Sequence, residues 1–299
     1  MLSATSHLEF GGSLLRSSVF LERRLRVHVV RRDRLVYDTR YAPPARRPSA
    51  FVHLFAQLSG TLWPSGAAAV TAPCAFALAE TEFDRVVDGA ATFRSFGARC
   101  TIVEIRVPAD DLRRPIGLGH GPIALAADAW DAYRALDTDP SEPAVHRLLT
   151  VLGAGGVLST DLTASVVADE PERFRRVWAV MRPLYQNLSA SVSLKQIAAF
   201  AGLSLRQLGR DLTDLTRTFG LFGAGFRDAM RILRLRAAVL LLSAPDATPG
   251  DVARIVGYGS LDAMGRAFRD AQLPAPSLVQ SSVRYRDPGP AERGIGGIK

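Results

Sequence analysis

The feature of this 299-residue chain that most constrains its fold is a pattern of helix cap, glycine-containing turn and second helix that occurs twice between residues 193 and 279. The first copy opens at Ser193, and Gln196 three residues later completes a capping box that satisfies free N–H groups at a helix start. Gly202 then permits a sharp turn, after which Ser204 and Gln207 repeat the box. We expect a helix-turn-helix whose second helix points Leu205, Leu208 and Leu212 inward.

The second copy starts at Thr248, where an N-cap threonine precedes Pro249 at the first helical position and Asp251 in the first turn. Residues 257–260, with two glycines, predict the turn, and a second helix is expected over 261–272. That helix places Met264, Ala267 and Phe268 inward. The chain therefore contains two units of one plan.

A long helix is predicted between the two units, from Phe226 to Ser243. The segment lacks internal Gly and Pro, is rich in Leu, Ala and Arg, and Pro245 follows it. Two helices can enter successive major-groove segments of B-DNA only if they lie about 34 Å apart, and a rigid connector suits that requirement.

These residues resemble the DNA-binding domain of the AraC/XylS family of bacterial transcription regulators. The matching positions are Ile197-Ala198, Gly202-Leu203-Ser204, Arg210, Arg234-Leu235, Ala238, Val252-Ala253, Gly257-Tyr258, Arg266-Ala267-Phe268-Arg269 and Pro276. The resemblance implies that both recognition helices bind the major groove. Gly223 lies thirteen positions after Arg210, about one helical turn more than the family pattern, so we expect an extended recognition helix or an intruding loop.

The resemblance also implies which residues contact DNA. We expect Arg206, Gln207 and Arg210 to read base edges, with Ser204 contacting phosphate or base. The second recognition helix offers Leu261, Asp262, Ala263 and Gly265 in place of base-reading donors. Arg266 and Arg269 are therefore expected to hold the DNA backbone instead.

Charge is unevenly distributed along the chain. Residues 190–299 contain 15 Lys+Arg against 9 Asp+Glu, a balance of +6, whereas the whole chain carries +8. Such asymmetry is typical of a nucleic-acid-binding half, although the same charge would also keep a domain soluble. The motif, and not the charge, favours DNA binding.

The N-terminal half shows short β-like segments at Leu25–Val30, Leu35–Tyr37, Phe51–Leu58, Phe76–Ala79 and Thr101–Val107. Turn formers separate them, which predicts a β-sandwich or small barrel. Residues 51–60, 70–76 and 102–112 also resemble the cupin-like sensor domain of many AraC-type regulators. That fold implies a cavity for a small-molecule effector.

An enzyme is not expected. Metal-dependent cupins need a His-x-His pair with a carboxylate and a further His, but His28, His53 and His120 are isolated, so no metal or cofactor is predicted. Cys74 and Cys100 are either a redox pair or small buried hydrophobes, and the second interpretation is favoured. The glycine-rich run at 152–156 lacks both the G-x-G-x-x-G spacing and the Walker lysine of nucleotide-binding loops, so we interpret it as a helix end.

Helical periodicity begins near residue 122, with helices expected over Ile123–Leu136, Ala144–Leu152 and Pro171–Leu188. These helices either cover the β domain or also form a dimer interface. We divide the chain into a partly ordered leader (1–18), a β-rich sensor domain (19–121), a helical dimerisation region (122–189), a DNA-binding domain (190–281) and a disordered tail (282–299).

Together these features predict an α+β protein that acts as a cytoplasmic, sequence-specific transcription regulator. The expected partners are double-stranded promoter DNA, a second copy of the chain, RNA polymerase and a small-molecule effector. No interaction with a membrane is expected. Two alternatives stay open: a cupin-like small-molecule-binding protein or enzyme with a basic helical appendage, and a nonspecific architectural DNA protein.

Overall fold

A computed structural model describes residues 1–41, 51–64, 68–79, 93–165, 171–190, 192–219 and 225–286. Its strands are β1 (Leu2–Phe10), β2 (Ser13–Leu21), β3 (Arg26–Asp33), β4 (Tyr37–Asp38), β5 (Phe51–Gln57), β6 (Thr61–Pro64), β7 (Val70–Thr71), β8 (Cys74–Ala79), β9 (Phe93–Phe96) and β10 (Arg99–Pro108). They form a six-stranded sheet in the order β1-β2-β3-β10-β5-β8 and a four-stranded sheet in the order β4-β9-β6-β7. All pairings are antiparallel.

The prediction of a partly ordered leader over residues 1–18 is wrong. β1 and β2 form a hairpin in full register, from Leu2 opposite Leu21 to Phe10 opposite Ser13. Gly11 and Gly12, both at positive φ, make its two-residue turn. The Ser and Thr residues of this segment obscure the alternation of apolar and polar residues that is typical of a strand. Their inward-facing neighbours Leu2 and Ala4 are nevertheless buried.

The two sheets share a small core of buried side chains from both layers. Its members are Phe55, Leu62, Cys74, Phe76, Leu78, Phe93, Cys100 and Ile102. The α+β fold with a β-rich N-terminal half and a helical C-terminal half is thus confirmed. Residues 80–92, between β8 and β9, lie outside the described part of the chain.

Three helices follow the sheets: α1 (Ala127–Thr138), α2 (Glu142–Ala154) and α3 (Thr160–Ser165). α1 begins four residues later than predicted, and Ile123, which precedes it, donates its N–H to the Ala75 carbonyl of β8 at 2.7 Å. The apolar faces of α1 and α2 pack on the large sheet of the same chain, against Val27, Val103 and Ile105. These faces therefore cover the β domain.

The next helix, α4 (Glu172–Gln186), joins the two halves of the molecule. The apolar face predicted for it is buried, and it consists of Phe174, Val177, Trp178, Met181 and Tyr185. The Trp178 indole N–H donates to the Ser3 carbonyl of β1 at 3.1 Å. On its other side Phe174 packs edge to face on Phe219, with ring centroids 5.6 Å apart.

The C-terminal half is helical throughout its described residues. It contains α5 (Leu194–Ala201), α6 (Leu205–Phe219), α7 (Phe226–Leu242), α8 (Pro249–Ile255), α9 (Leu261–Asp270) and α10 (Pro276–Val283). The predicted boundary of a disordered tail at residue 282 is too early. Val283 and Tyr285 are buried, and the Tyr285 N–H donates to the Ser243 carbonyl at 2.7 Å. Residues 287–299 of that predicted tail lie outside the described part.

Candidate nucleic-acid interface and the adjoining cavity

The first helix-turn-helix unit, α5–α6, forms by the local contacts that its sequence predicts. Gln196 N–H donates to the Ser193 hydroxyl at 3.2 Å, and the Ser193 N–H donates to the Gln196 side chain at 2.9 Å. α5 ends at Gly202, where φ is +63°. The Ser204 hydroxyl then caps α6 by accepting from the Gln207 N–H at 3.1 Å. The predicted capping and turn are confirmed.

The second unit, α8–α9, repeats this construction. The Thr248 hydroxyl accepts from the Asp251 N–H at 3.2 Å, with Pro249 at the first helical position. Gly257, at φ +87°, makes the turn. The Ser260 hydroxyl caps α9 by accepting from the Ala263 N–H at 3.1 Å. Both units thus fix their recognition helices by a serine cap.

The recognition helix α6 places its predicted DNA-contacting residues on the surface. Arg206 and Arg210 are exposed, and α6 runs for 15 residues, so the extra sequence before residue 220 extends this helix. Gln207 is engaged at both ends of its amide: its Nε2 donates to Asp211 at 2.7 Å, and its Oε1 accepts from Arg210. Gln207 must exchange these contacts to read a base.

The prediction that Leu205 of α6 points into the core is wrong. Leu208 and Leu212 are buried, but Leu205 is 51% exposed. As the first residue after the cap, Leu205 lies beyond the edge of the helix face that packs on α5, which the spacing of three and four does not reveal. In α9, Met264, Ala267 and Phe268 are buried as expected. Arg266 and Arg269 are exposed there, as a phosphate-contacting role requires.

The connector helix α7 confirms the long helix predicted over 226–243. From it, the Arg234 guanidinium donates to the Leu188 carbonyl at 3.0 Å and to the Ala190 carbonyl at 3.2 Å. The turn at Gly257 approaches the same segment so closely that an added Cβ would lie 2.5 Å from the Leu188 oxygen. The connector, the turn of the second unit and the chain that enters the first unit therefore meet at one point.

A cavity of about 150 Å³ lies between the large sheet and the connector helix. Its sheet side includes Ala4, Leu15, Val30 and Ile102, and its helical side includes Leu233, Ala237 and Leu240 from α7 with Tyr185 and Leu188. Most of this wall is apolar. A molecule that filled the cavity would touch the helix that joins the two helix-turn-helix units.

Besides Ser6, Arg32 and Arg236, the polar part of the cavity wall includes a chain of three side chains from neighbouring strands. The Ser17 hydroxyl lies 2.6 Å from His28 Nε2, and His28 Nδ1 lies 3.7 Å from a Glu104 carboxylate oxygen. The other Glu104 oxygen accepts from Arg26 at 2.7 Å and lies 2.7 Å from His53 Nδ1. Burial alone would raise the pKa of Glu104, but the charge of Arg26 and the contacts with His53 and His28 outweigh burial and hold that pKa well below its ordinary value.

The sequence separates His28 and His53, whereas the fold brings both against Glu104. The register explains this, because Glu104 stands opposite His28 in the β3–β10 pair and His53 lies on the next strand. Among the described residues, no group of three or more His, Cys, Asp or Glu side chains has a metal-binding arrangement.

Cys74 and Cys100 are free thiols, and both are buried in the small core between the sheets. Burial, together with a smaller contribution from the neighbouring Cys100, raises the pKa of Cys74 to about 11. The Cys100 sulfur lies 3.1 Å from the Ser95 hydroxyl and 3.2 Å from the Arg32 guanidinium. The described helices include none that is long and apolar enough to cross a membrane.

Comparison with known proteins gives structural matches only. No family model and no curated protein matches the chain. ToxT from Vibrio cholerae is similar over 87% of this chain and 99% of that chain, with 9% identity and a TM-score of 0.35. A DNA-binding transcriptional dual regulator from Escherichia coli K-12 matches 38% of this chain and 99% of its own, with 20% identity and a TM-score of 0.30.

A third match is the C-terminal domain of AraT, a response regulator from Geobacillus stearothermophilus. It is 20% identical, covers 40% of this chain and 93% of that chain, and has a TM-score of 0.31. At TM-scores this low, the likeness carries no weight of its own. What supports a function is the geometry of the two capped units and their connector.

Proposed function

We propose that this chain is a cytoplasmic DNA-binding transcription regulator of the AraC/XylS type that recognises promoter DNA. The observation that carries the proposal is the pair of capped helix-turn-helix units joined by one uninterrupted helix of 17 residues. Such a helix is about 26 Å long. That length is on the scale of the roughly 34 Å between successive major-groove segments on one face of B-DNA.

Within this proposal, the two recognition helices have different tasks. Arg206, Gln207 and Arg210 read base edges, and Ser204 contacts phosphate or base in addition to capping α6. Arg266 and Arg269 hold phosphates in the next groove segment. The exposure of all four arginines supports these roles, as does the phosphate affinity of guanidinium groups.

The test of DNA recognition is an affinity measurement on duplexes selected by the full chain from a random library. We expect Arg210→Ala to weaken binding by about tenfold or more and to relax the preference at one base pair, since a bidentate base contact contributes about 1 to 3 kcal/mol. Arg134→Ala, which removes an exposed arginine from α1, is the matched control. Equal affinity of wild-type protein for selected and random duplexes at a stated salt concentration would favour an architectural protein instead.

We also propose that a small molecule in the cavity regulates DNA binding. The supporting observation is that both the sheet and the connector helix line this cavity. A ligand there shifts DNA affinity if it favours one arrangement of the connector over another. The polar chain from Ser17 through His28 to Glu104 would meet a hydrogen-bonding group of the ligand, and the apolar wall would hold its hydrocarbon part.

A cavity-filling substitution tests this coupling without knowledge of the ligand. Ser6 on β1 lines the cavity, whereas its neighbour His7 points to the solvent side of the same strand. We expect Ser6→Phe to change the affinity for the selected duplex, while His7→Phe leaves it unchanged. If both variants bind as the wild type does, the cavity is not coupled to DNA binding.

We further propose that the regulator is a homodimer, that the outer faces of residues 122–189 contribute to its interface, and that it contacts RNA polymerase at the promoter. The apolar faces of α1 and α2 are already used inside the chain, so a dimer must use their outward sides. Sedimentation equilibrium of the full chain, with and without duplex, tests the oligomeric state. A mass of one chain at every concentration and on DNA would exclude the dimer.

A further inference from the structure

The two recognition helices expose a leucine at the same position. Leu205 directly follows the capping Ser204 in α6, and Leu261 directly follows the capping Ser260 in α9. Leu205 is 51% exposed and Leu261 is 45% exposed. The later leucines of α6, Leu208, Leu212 and Leu215, are buried. The repeated exposure at one position therefore distinguishes these two side chains from those that form the core.

A glycine lies four residues after each exposed leucine, at Gly209 and Gly265. Both are inside recognition helices, where glycine lowers helix stability relative to alanine. A Cβ added at either position would meet nothing within 4 Å, so packing within the described chain does not require glycine there. Helical side chains lean toward the N-terminus over the residue four positions earlier. The glycines therefore leave Leu205 and Leu261 uncovered.

An exposed arginine follows each glycine, at Arg210 and Arg266. Each helix thus presents an uncovered leucine within about one and a half helical turns of a positive charge. A complementary partner must offer an apolar group close to negative charge. In the major groove, the C5-methyl group of thymine is such a group, since it projects from the base edge between phosphate backbones.

We propose that Leu205 and Leu261 each contact a thymine methyl group, one in each half of the recognised DNA. This inference rests on the proposed DNA-binding function and adds a specificity that the arginines alone do not supply. Because the two leucines occupy the same position in two similar units, the two thymines lie about one helical turn apart, roughly 10 to 10.5 base pairs. The glycines let each helix approach closely enough for the contact.

The experiment removes single methyl groups from the DNA. The full-length protein first selects duplexes from a random library, and each thymine of the selected duplex is then replaced in turn by deoxyuridine, which pairs identically with adenine. For the wild type, we expect one replacement in each half to weaken binding by about fourfold, the effect of one apolar carbon. Leu205→Ala should abolish the sensitivity in one half only, and Leu261→Ala in the other only.

Leu278→Ala is the matched control, because Leu278 is 60% exposed but lies on α10, outside both recognition helices. It should keep both sensitivities. The inference is overturned if every deoxyuridine duplex binds as tightly as its thymine counterpart, or if Leu205→Ala and Leu261→Ala respond to the replacements as the wild type does. If the wild type selects no sequence at all, the proposed function itself fails, and that outcome is separate because it appears before any thymine is replaced.

Discussion

The backbone N–H of Val36 donates a hydrogen bond to the hydroxyl of Ser243 at 2.8 Å, although the two residues belong to opposite halves of the chain. Ser243 is fully buried at the end of the connector helix α7, and its hydroxyl also donates to the Leu240 carbonyl. Its carbonyl accepts from the Tyr285 N–H. One residue therefore links the β domain, the connector and the last helical segment.

Replacing Ser243 by alanine should destabilise the protein. The substitution leaves the buried Val36 N–H without its acceptor, which costs about 1 to 3 kcal/mol. Urea unfolding followed by circular dichroism measures the loss. Ser281→Ala is the control, because the exposed Ser281 hydroxyl donates only to the Leu278 carbonyl of its own helix. A Ser243→Ala protein as stable as that control would show that the junction contributes nothing.

The two turn glycines offer a matched pair of substitutions. Gly202 and Gly257 both have positive φ, so alanine at either position costs about 1 to 2 kcal/mol of backbone strain. Only at Gly257 would the added Cβ also collide with the Leu188 oxygen and with Ser189, whereas nothing lies within 4 Å at Gly202. We therefore expect Gly257→Ala to lower the unfolding midpoint clearly more than Gly202→Ala. Equal effects would contradict the close approach of the second turn to residues 188–189.

The contrast between these turns and the Glu104 cluster shows what the sequence could predict. The caps at Ser193 and Thr248 and the turn at Gly202 depend on residues three or four positions apart, so short-range sequence patterns predict both helix-turn-helix units. The meeting of His28 and His53 at Glu104 depends on which strands pair, and no local pattern fixes the order β3-β10-β5. The sequence does not indicate the hairpin at Gly11-Gly12, because serines and threonines obscure its alternation of apolar and polar residues.

Contacts between the two halves could not be predicted either. Ser243 looked like an ordinary helix end, and nothing near it in sequence indicates Val36 as its partner. The spacing of Leu205 predicts a core position, although the first residue of a helix can lie beyond the packed face. The predicted DNA-contacting arginines are on the surface, as expected, but their roles depend on a partner that the chain alone does not contain.

The Glu104 cluster predicts how stability depends on pH. The folded-state pKa of Glu104 is held well below its ordinary value, so its contribution to stability is complete above the unfolded-state pKa of about 4.3. That contribution is lost as the pH falls from there toward the folded-state pKa. At pH 7, Glu104→Gln should cost about 3 to 5 kcal/mol, because it removes the buried carboxylate that forms an ion pair with Arg26.

The measurement for this cluster is urea unfolding of the wild type and of Glu104→Gln at several pH values between 7 and 3. The stability difference between the two proteins should narrow progressively as the pH falls below about 4.3, because the unfolded-state carboxyl group then takes up a proton more readily than the folded-state one. Glu9→Gln, at an exposed carboxylate, is the control and should follow the wild type throughout. A difference that stays constant down to pH 3 would contradict a depressed pKa at Glu104.

The buried thiols should resist alkylation in the folded protein. Because burial raises the pKa of Cys74 to about 11, only about one molecule in a thousand carries the reactive thiolate at pH 8. We expect iodoacetamide to modify neither cysteine appreciably under native conditions and to modify both in guanidinium chloride, as measured by mass spectrometry. Rapid native labelling of Cys74 would instead favour the redox interpretation.

Arg234 is expected to stabilise residues 187–190, the segment that joins the two halves of the chain. Its guanidinium is bonded to the carbonyls of Leu188 and Ala190, and hydrogen bonds to charged groups contribute about 1.5 to 3 kcal/mol each. Arg234→Ala should therefore raise the open population of residues 187–190 by at least about tenfold and speed cleavage there by proteinase K. Arg227→Ala, at an exposed position of the same helix, should leave cleavage unchanged. If both variants are cut at the wild-type rate and at the wild-type positions, Arg234 does not stabilise residues 187–190. A conformational change at the cavity would then have to reach the first helix-turn-helix unit through contacts other than those of Arg234.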